Sequence, residues 1–123
     1  MAEVKFYRCN HCGNIVVVVL DGKVTPSCCG EPMELLVPGT TDGAAEKHVP
    51  AVTVEGDEMI VRVGEVEHPM LDAHYIQFIA FANEKKTVVK YFHPGEEPKA
   101  LFHETHGTVF EYCNLHGLWK AEV

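Results

Sequence analysis

Apolar and polar residues alternate with a period of two through most of this chain, as strands with one buried face require. No segment repeats apolar residues at i, i+3, i+4 and i+7 over three turns, so helices are not expected. Near the N-terminus the pattern predicts strands over Val4–Arg8, Ile15–Leu20 and Met33–Val37. Asp21-Gly22 predicts a hairpin turn leading into a short strand over Lys23–Thr25. Pro38 to Ala45, PGTTDGAA, has the composition of a linker or ordered loop. Beyond it, Val52, Val54, Met59, Val61 and Val63 fall on alternate positions around a turn at Glu55-Gly56-Asp57. His74–Ala82 is apolar on both faces, which predicts a central strand. Thr87–Phe92, Ala100–Thr105, Thr108–Cys113 and Leu118–Val123 follow, with the polar turn Asn83-Glu84-Lys85-Lys86 before them. About seven short strands at regular spacing predict a β-sandwich. The expected organisation is all-β: a small domain over residues 1–37 and a sandwich over 38–123.

Composition narrows the function. The chain has 123 residues, 46% of them hydrophobic, enough to bury a core. Its formal charge is −8, from 18 acids and 10 bases, which argues against a nucleic-acid partner. No apolar run is long enough to span a bilayer, and the opening MAEVKFYRCN has no signal-peptide core. A cytoplasmic location is expected. The five cysteines are an odd number without an export signal, which argues against a disulfide framework and for metal binding. The eight histidines reinforce that reading.

Four cysteines fall within the first 37 residues, a piece too short to fold on its core alone. Cys9 and Cys12 form a C-x-x-C pair; after 15 residues come the adjacent Cys28 and Cys29. A C-x-x-C turn aims two sulfurs at one ion, and Gly13 permits the tight backbone this needs. Four thiolates suit zinc or iron, and spacing alone does not choose between them. His11, inside the loop, is expected to be an exposed residue, because four sulfurs already satisfy the ion.

The fifth cysteine lies in Cys113-Asn114-Leu115-His116-Gly117, a C-x-x-H turn between two expected strands. Such a turn can supply two ligands to one ion, though alone it is a weak signal. His48 and His68 sit beside the stiffening prolines Pro50 and Pro69, and His74 opens the long strand. Taken singly, each is more readily an ordinary surface or core histidine than a ligand. Periodicity does not bring them to Cys113.

Together these motifs resemble the desulfoferrodoxins, the two-iron class of superoxide reductase. The four-cysteine pattern is similar to the desulforedoxin-like domain of that family. Glu46-Lys47-His48-Val49-Pro50, His68-Pro69-Met70 with His74, and Cys113 through Lys120 match its neelaredoxin-like catalytic motifs in order. The resemblance covers essentially the whole chain. It implies a first iron held by Cys9, Cys12, Cys28 and Cys29. It implies a second iron held by His48, His68, His74 and His116 roughly in a plane, with Cys113 axial and a sixth position open. It also implies that Glu46 approaches that position from a mobile loop when the iron is ferric, and that Lys47 sits near it. The resemblance further implies an immunoglobulin-like second domain, a homodimer, reduction of superoxide to hydrogen peroxide, and a small redox protein such as rubredoxin as electron donor.

Rival functions are a non-catalytic iron electron carrier, a zinc-binding structural module and a dismutase. Cys113 is dispensable in the first, and only zinc is present in the second. A dismutase releases oxygen without consuming a donor. His93, His103 and His106 read as surface residues, and Trp119 as a core residue or a cover near the second site.

Overall fold

The computed structural model describes residues 4–39, 48–64 and 68–123. They fall into two compact units divided between Val37 and Pro38. Among the described residues every named element is a strand, in the order β1 (Phe6–Arg8), β2 (Ile15–Val17), β3 (Ser27–Cys28), β4 (Glu31–Pro32), β5 (Glu34–Leu35), β6 (Pro50–Glu55), β7 (Glu58–Val63), β8 (Ile76–Ala82), β9 (Thr87–Tyr91), β10 (Lys99–Phe102), β11 (Thr108–Cys113) and β12 (Gly117–Glu122).

In the first unit β1 is the central strand of an antiparallel sheet ordered β2-β1-β5, and β3 pairs with β4. Its core is small: Tyr7, Cys9 and Met33 are buried, with Val18 and Cys28 packed against them. So little apolar burial leaves the unit dependent on a metal staple. One expectation fails here. Lys23–Thr25 forms no strand, and the chain does not fold into a hairpin at Asp21-Gly22. The Asp21 carboxylate instead accepts a hydrogen bond from the Lys23 amide (2.9 Å) and pairs with Lys5 (2.9 Å). This side-chain turn competes with a backbone ladder. The Lys5 hydrogen bond, followed by the Lys23 amide, holds the Asp21 carboxyl down at about 2. The strand expected over Met33–Val37 does form but is shortened to β5, Glu34–Leu35, because Met33 turns inward and its amide donates to Pro26 O (2.9 Å).

The second unit is a sandwich. A four-stranded sheet ordered β12-β11-β8-β9 faces a three-stranded sheet ordered β10-β7-β6, all pairings antiparallel. This three-against-four arrangement is immunoglobulin-like. Both sheets feed one core: Met59, Val61 and Val63 of β7, Ile79 and Phe81 of β8, Phe102 of β10, and Val109 and Cys113 of β11. Strand β8 is buried at six of its seven positions, as the two-sided apolar pattern predicts. It begins at Ile76 rather than His74, because the His74 backbone pairs instead with Leu71 in an isolated bridge. The β8–β11 register slips between Tyr112 and Cys113, so that Cys113 faces Ile76. Such an irregularity bends a strand end and re-aims its last side chain. Here that side chain is a candidate ligand.

Candidate metal centres

Five donors come from one end of the sandwich. His48 precedes β6, His68 follows β7, and His74 lies just before β8. Cys113 ends β11, and His116 precedes β12. Their ligand atoms all lie within 4.8 Å of one another. The four imidazoles form a closed circuit. Ring centroids are 4.8 Å apart for His48–His68, 4.9 Å for His68–His74, 5.0 Å for His74–His116 and 4.8 Å for His116–His48. Each ring stands at 75–78° to the next. Perpendicular rings at equal spacing turn one nitrogen each toward a common centre.

His48 Nε2 lies 3.1 Å from His68 Nε2 and 3.1 Å from His116 Nδ1. A square of that edge has its centre about 2.2 Å from each corner, close to an ordinary metal–imidazole bond. His68 Nδ1 is 2.7 Å from the Pro69 carbonyl, which fixes the proton there and leaves Nε2 as a lone pair facing the centre. Burial holds His68 down at about 4, against the opposing pull of the Pro69 carbonyl, with the charges of His48, His74 and His116 lowering it further. It is therefore neutral near pH 7, the form that binds metal. A cation at that centre would be within bonding reach of these nitrogens.

Cys113 is fully buried, with its sulfur 3.8 Å from His116 Nδ1. Burial pushes its thiol up, the backbone amides of Leu115 and His116 pull it down, and the Glu111 carboxyl pushes it up again. The two amides suit a ligating thiolate. Trp119 is both core residue and cover: it is 7% exposed, stacks on His48 at 5.2 Å and 21°, and donates to His116 O (3.0 Å). Glu111, two residues before Cys113 on the same strand face, is fully buried, and its oxygens have no hydrogen-bond partner among the described residues. Burial pushes its carboxyl up to about 9. Sequence reading passed over it, although strict alternation from Val109 to Cys113 puts it inside. Glu46 and Lys47 lie outside the described residues.

The first unit gathers Cys9, Cys12, Cys28 and Cys29. Cys12 Sγ lies 3.7 Å from Cys28 Sγ, which lies 4.0 Å from Cys29 Sγ. A tetrahedron of about 2.3 Å metal–sulfur bonds has edges near ~3.8 Å. The positive φ of Gly13 (82°) closes the Cys9–Cys12 turn, letting the Cys12 amide face Cys9 Sγ at 3.5 Å. That amide, ahead of the His11 amide, lowers the Cys9 thiol to about 6. Cys29 is pushed up to about 12 by the neighbouring thiols, Cys9 first, and Cys28 is raised as well. One thiolate forms readily, but four adjacent thiolates require a bound cation. His11 points away, paired with Glu31 at 3.0 Å. His93 and His103 are likewise exposed and paired with carboxylates, and His106 is exposed.

Known proteins match both units of the chain. The desulfoferrodoxin family model matches residues 40–122, and the model of the desulfoferrodoxin N-terminal domain matches residues 2–36. The desulfoferrodoxin of Syntrophotalea carbinolica is 46% identical over 125 residues, covering 99% of both chains. The crystal structure of the superoxide reductase from Treponema pallidum superposes with a TM-score of 0.79 at 30% identity, covering 98% of this chain and 100% of that one. A superoxide reductase (1Fe-SOR) from Giardia intestinalis gives 0.56 at 33% identity, covering 63% of this chain and 97% of its own. The chain belongs to the desulfoferrodoxin family.

Proposed function

We propose that this protein is a superoxide reductase. It converts superoxide to hydrogen peroxide with one electron from an external donor and two protons from solvent. The observation that carries this reading is the closed ring of four imidazoles beside a buried thiol, a donor set that fits iron. His48, His68, His74, His116 and Cys113 hold that iron, and Cys9, Cys12, Cys28 and Cys29 hold a second one. Iron in the five-donor site would supply the electron and a Lewis-acidic point of attachment for the anion.

The chain's own residues set the charge there. Four neutral imidazoles add none and the Cys113 thiolate adds one negative charge, so the donors leave a divalent ion about one positive charge. On a protein of net charge −8, a local positive spot draws small anions inward. Lys47 would add to it, and Glu46 would offer a carboxylate to the same site when the iron is ferric. The amides of Leu115 and His116 restrain how much charge the sulfur donates. The residue 1–37 unit serves as a separate iron domain and the residue 38–123 unit as the reductase domain. A small redox protein such as rubredoxin supplies electrons, and the working form is a homodimer. The five free cysteines suit a reducing compartment, which places the protein in the cytoplasm.

The test is electron stoichiometry under a superoxide flux. A reductase consumes one donor electron per superoxide and evolves no oxygen; Cys113→Ser abolishes the reaction. Oxygen evolution without donor consumption makes the protein a dismutase. Full turnover in Cys113→Ser moves function to the four-cysteine centre.

A further inference from the structure

The Cys113–His116 turn supplies two donors and also grips the segment that carries a third. Asn114 Oδ1 accepts from the Tyr75 amide (2.9 Å), and Asn114 Nδ2 donates to the Ala73 carbonyl (3.0 Å). The Asn114 amide also donates to the Tyr75 carbonyl (3.3 Å). Residues 73 and 75 flank His74, so one side chain holds the backbone on both sides of that ligand across 39–41 residues of sequence. The pairing fixes the amide orientation, because only oxygen can face an N–H and only nitrogen a carbonyl. His74 is held on its other side by the paired Leu71 backbone, at 2.9 and 3.1 Å. That pairing shapes the 71–74 turn but does not tie it to β11.

We propose that Asn114 is a positioning residue that sets His74 in register with Cys113 and His116. This rests on the reading that the five donors share one metal. The side chain is half-buried and lies in the turn between β11 and β12, outside both strands, so its removal is expected to leave the sandwich folded. What it removes is the cross-link between the turn carrying two ligands and the turn carrying a third. Groups that orient ligands in this way govern metal affinity by about 10–100-fold.

The test compares wild type, Asn114→Ala, Asn114→Asp and Asn83→Ala, each loaded anaerobically with ferrous iron and titrated with a ferrous chelator. Asn83 is a control of the same kind at the opposite end of the β8–β11 sheet. Its Oδ1 accepts from Lys85 and Lys86 (2.9 and 3.0 Å), and its Nδ2 donates to Glu104 (3.3 Å). Asn114→Ala is expected to weaken iron binding at the histidine site by about 10–100-fold, with the four-cysteine site unchanged. Asn83→Ala should leave both affinities unchanged while lowering the thermal midpoint. Asn114→Asp keeps the acceptor for Tyr75 but faces the Ala73 carbonyl with an oxygen, and should weaken the site in the same direction. Wild-type affinity in Asn114→Ala overturns the proposal, as does equal weakening in Asn83→Ala. Should Asn114→Ala fail to fold, Asn114→Asp decides, and wild-type affinity there overturns it. A wild-type protein that takes no iron at the histidine site overturns the shared-metal reading itself.

Discussion

Replacing Glu111 with glutamine should change how stability depends on pH. The side chain lies in the sandwich interior between Val109 and Cys113, fully buried. Desolvation pushes its carboxyl from 4.5 up to about 9. The folded chain therefore keeps a proton on Glu111 at pH 7, whereas the unfolded chain gives it up near pH 4.5. Between those values the folded state binds one proton more, so stability falls as pH rises, by about 1.4 kcal/mol per pH unit. Below pH 4.5 the group costs nothing, and by pH 9 the loss is complete. From pH 6 to 8 the loss is about 3 kcal/mol. Glutamine has nearly the same shape and no titrating proton, so Glu111→Gln should lack this slope. Denaturant unfolding of both proteins in the same metal state, at pH 6, 7 and 8, measures it as the difference between their two slopes. The advantage of Glu111→Gln should grow by about 3 kcal/mol across that range. A difference that stays constant with pH would show that the carboxyl is ionised in the folded protein, and the reasoning would fail.

Three further outcomes are expected. Lys47→Ile should slow superoxide capture by up to about fivefold at low ionic strength, the worth of about 1 kcal/mol for one exposed charge in water, with the gap closing at high salt; stopped-flow kinetics at two salt concentrations checks this. Trp119 is the sole tryptophan and stacks on His48, so its fluorescence should change when metal enters the histidine site. Titrating metal-free Cys12→Ser protein with ferrous iron reads that site alone, and Cys113→Ser in the same background should blunt the response. Gly107 has φ +154°, and a Cβ there would lie 2.5 Å from Phe81 Cε1 and 2.8 Å from Ala82 O. Gly107→Ala should therefore cost about 1–3 kcal/mol of stability, read by denaturant unfolding.

The sandwich was legible because its signals are local. Val52, Val54, Met59, Val61 and Val63 alternate in the sequence, and β6 and β7 follow them. Asn83 marks its turn by accepting the Lys85 and Lys86 amides. The first unit was harder to read, because two- and three-residue strands carry almost no periodicity and a single side chain decides a turn. Asp21 pairing with Lys5 redirected the expected hairpin. Convergence of the five donors is a long-range fact: His48 and His116 touch across 68 residues. No local pattern carries that, and only the order of the motifs did. Glu111 and Asn114 stayed hidden for the same reason. A carboxyl within an apolar strand and an asparagine within a turn look ordinary until the opposing strand or loop is in place.

The central claim is that His48, His68, His74, His116 and Cys113 bind one iron, and metal content with visible spectroscopy tests it most directly. The account predicts two irons per chain and, on oxidation, a thiolate-to-ferric charge-transfer band that Cys113→Ser removes while the four-cysteine absorption persists. One iron per chain, or a band that survives Cys113→Ser, would contradict it.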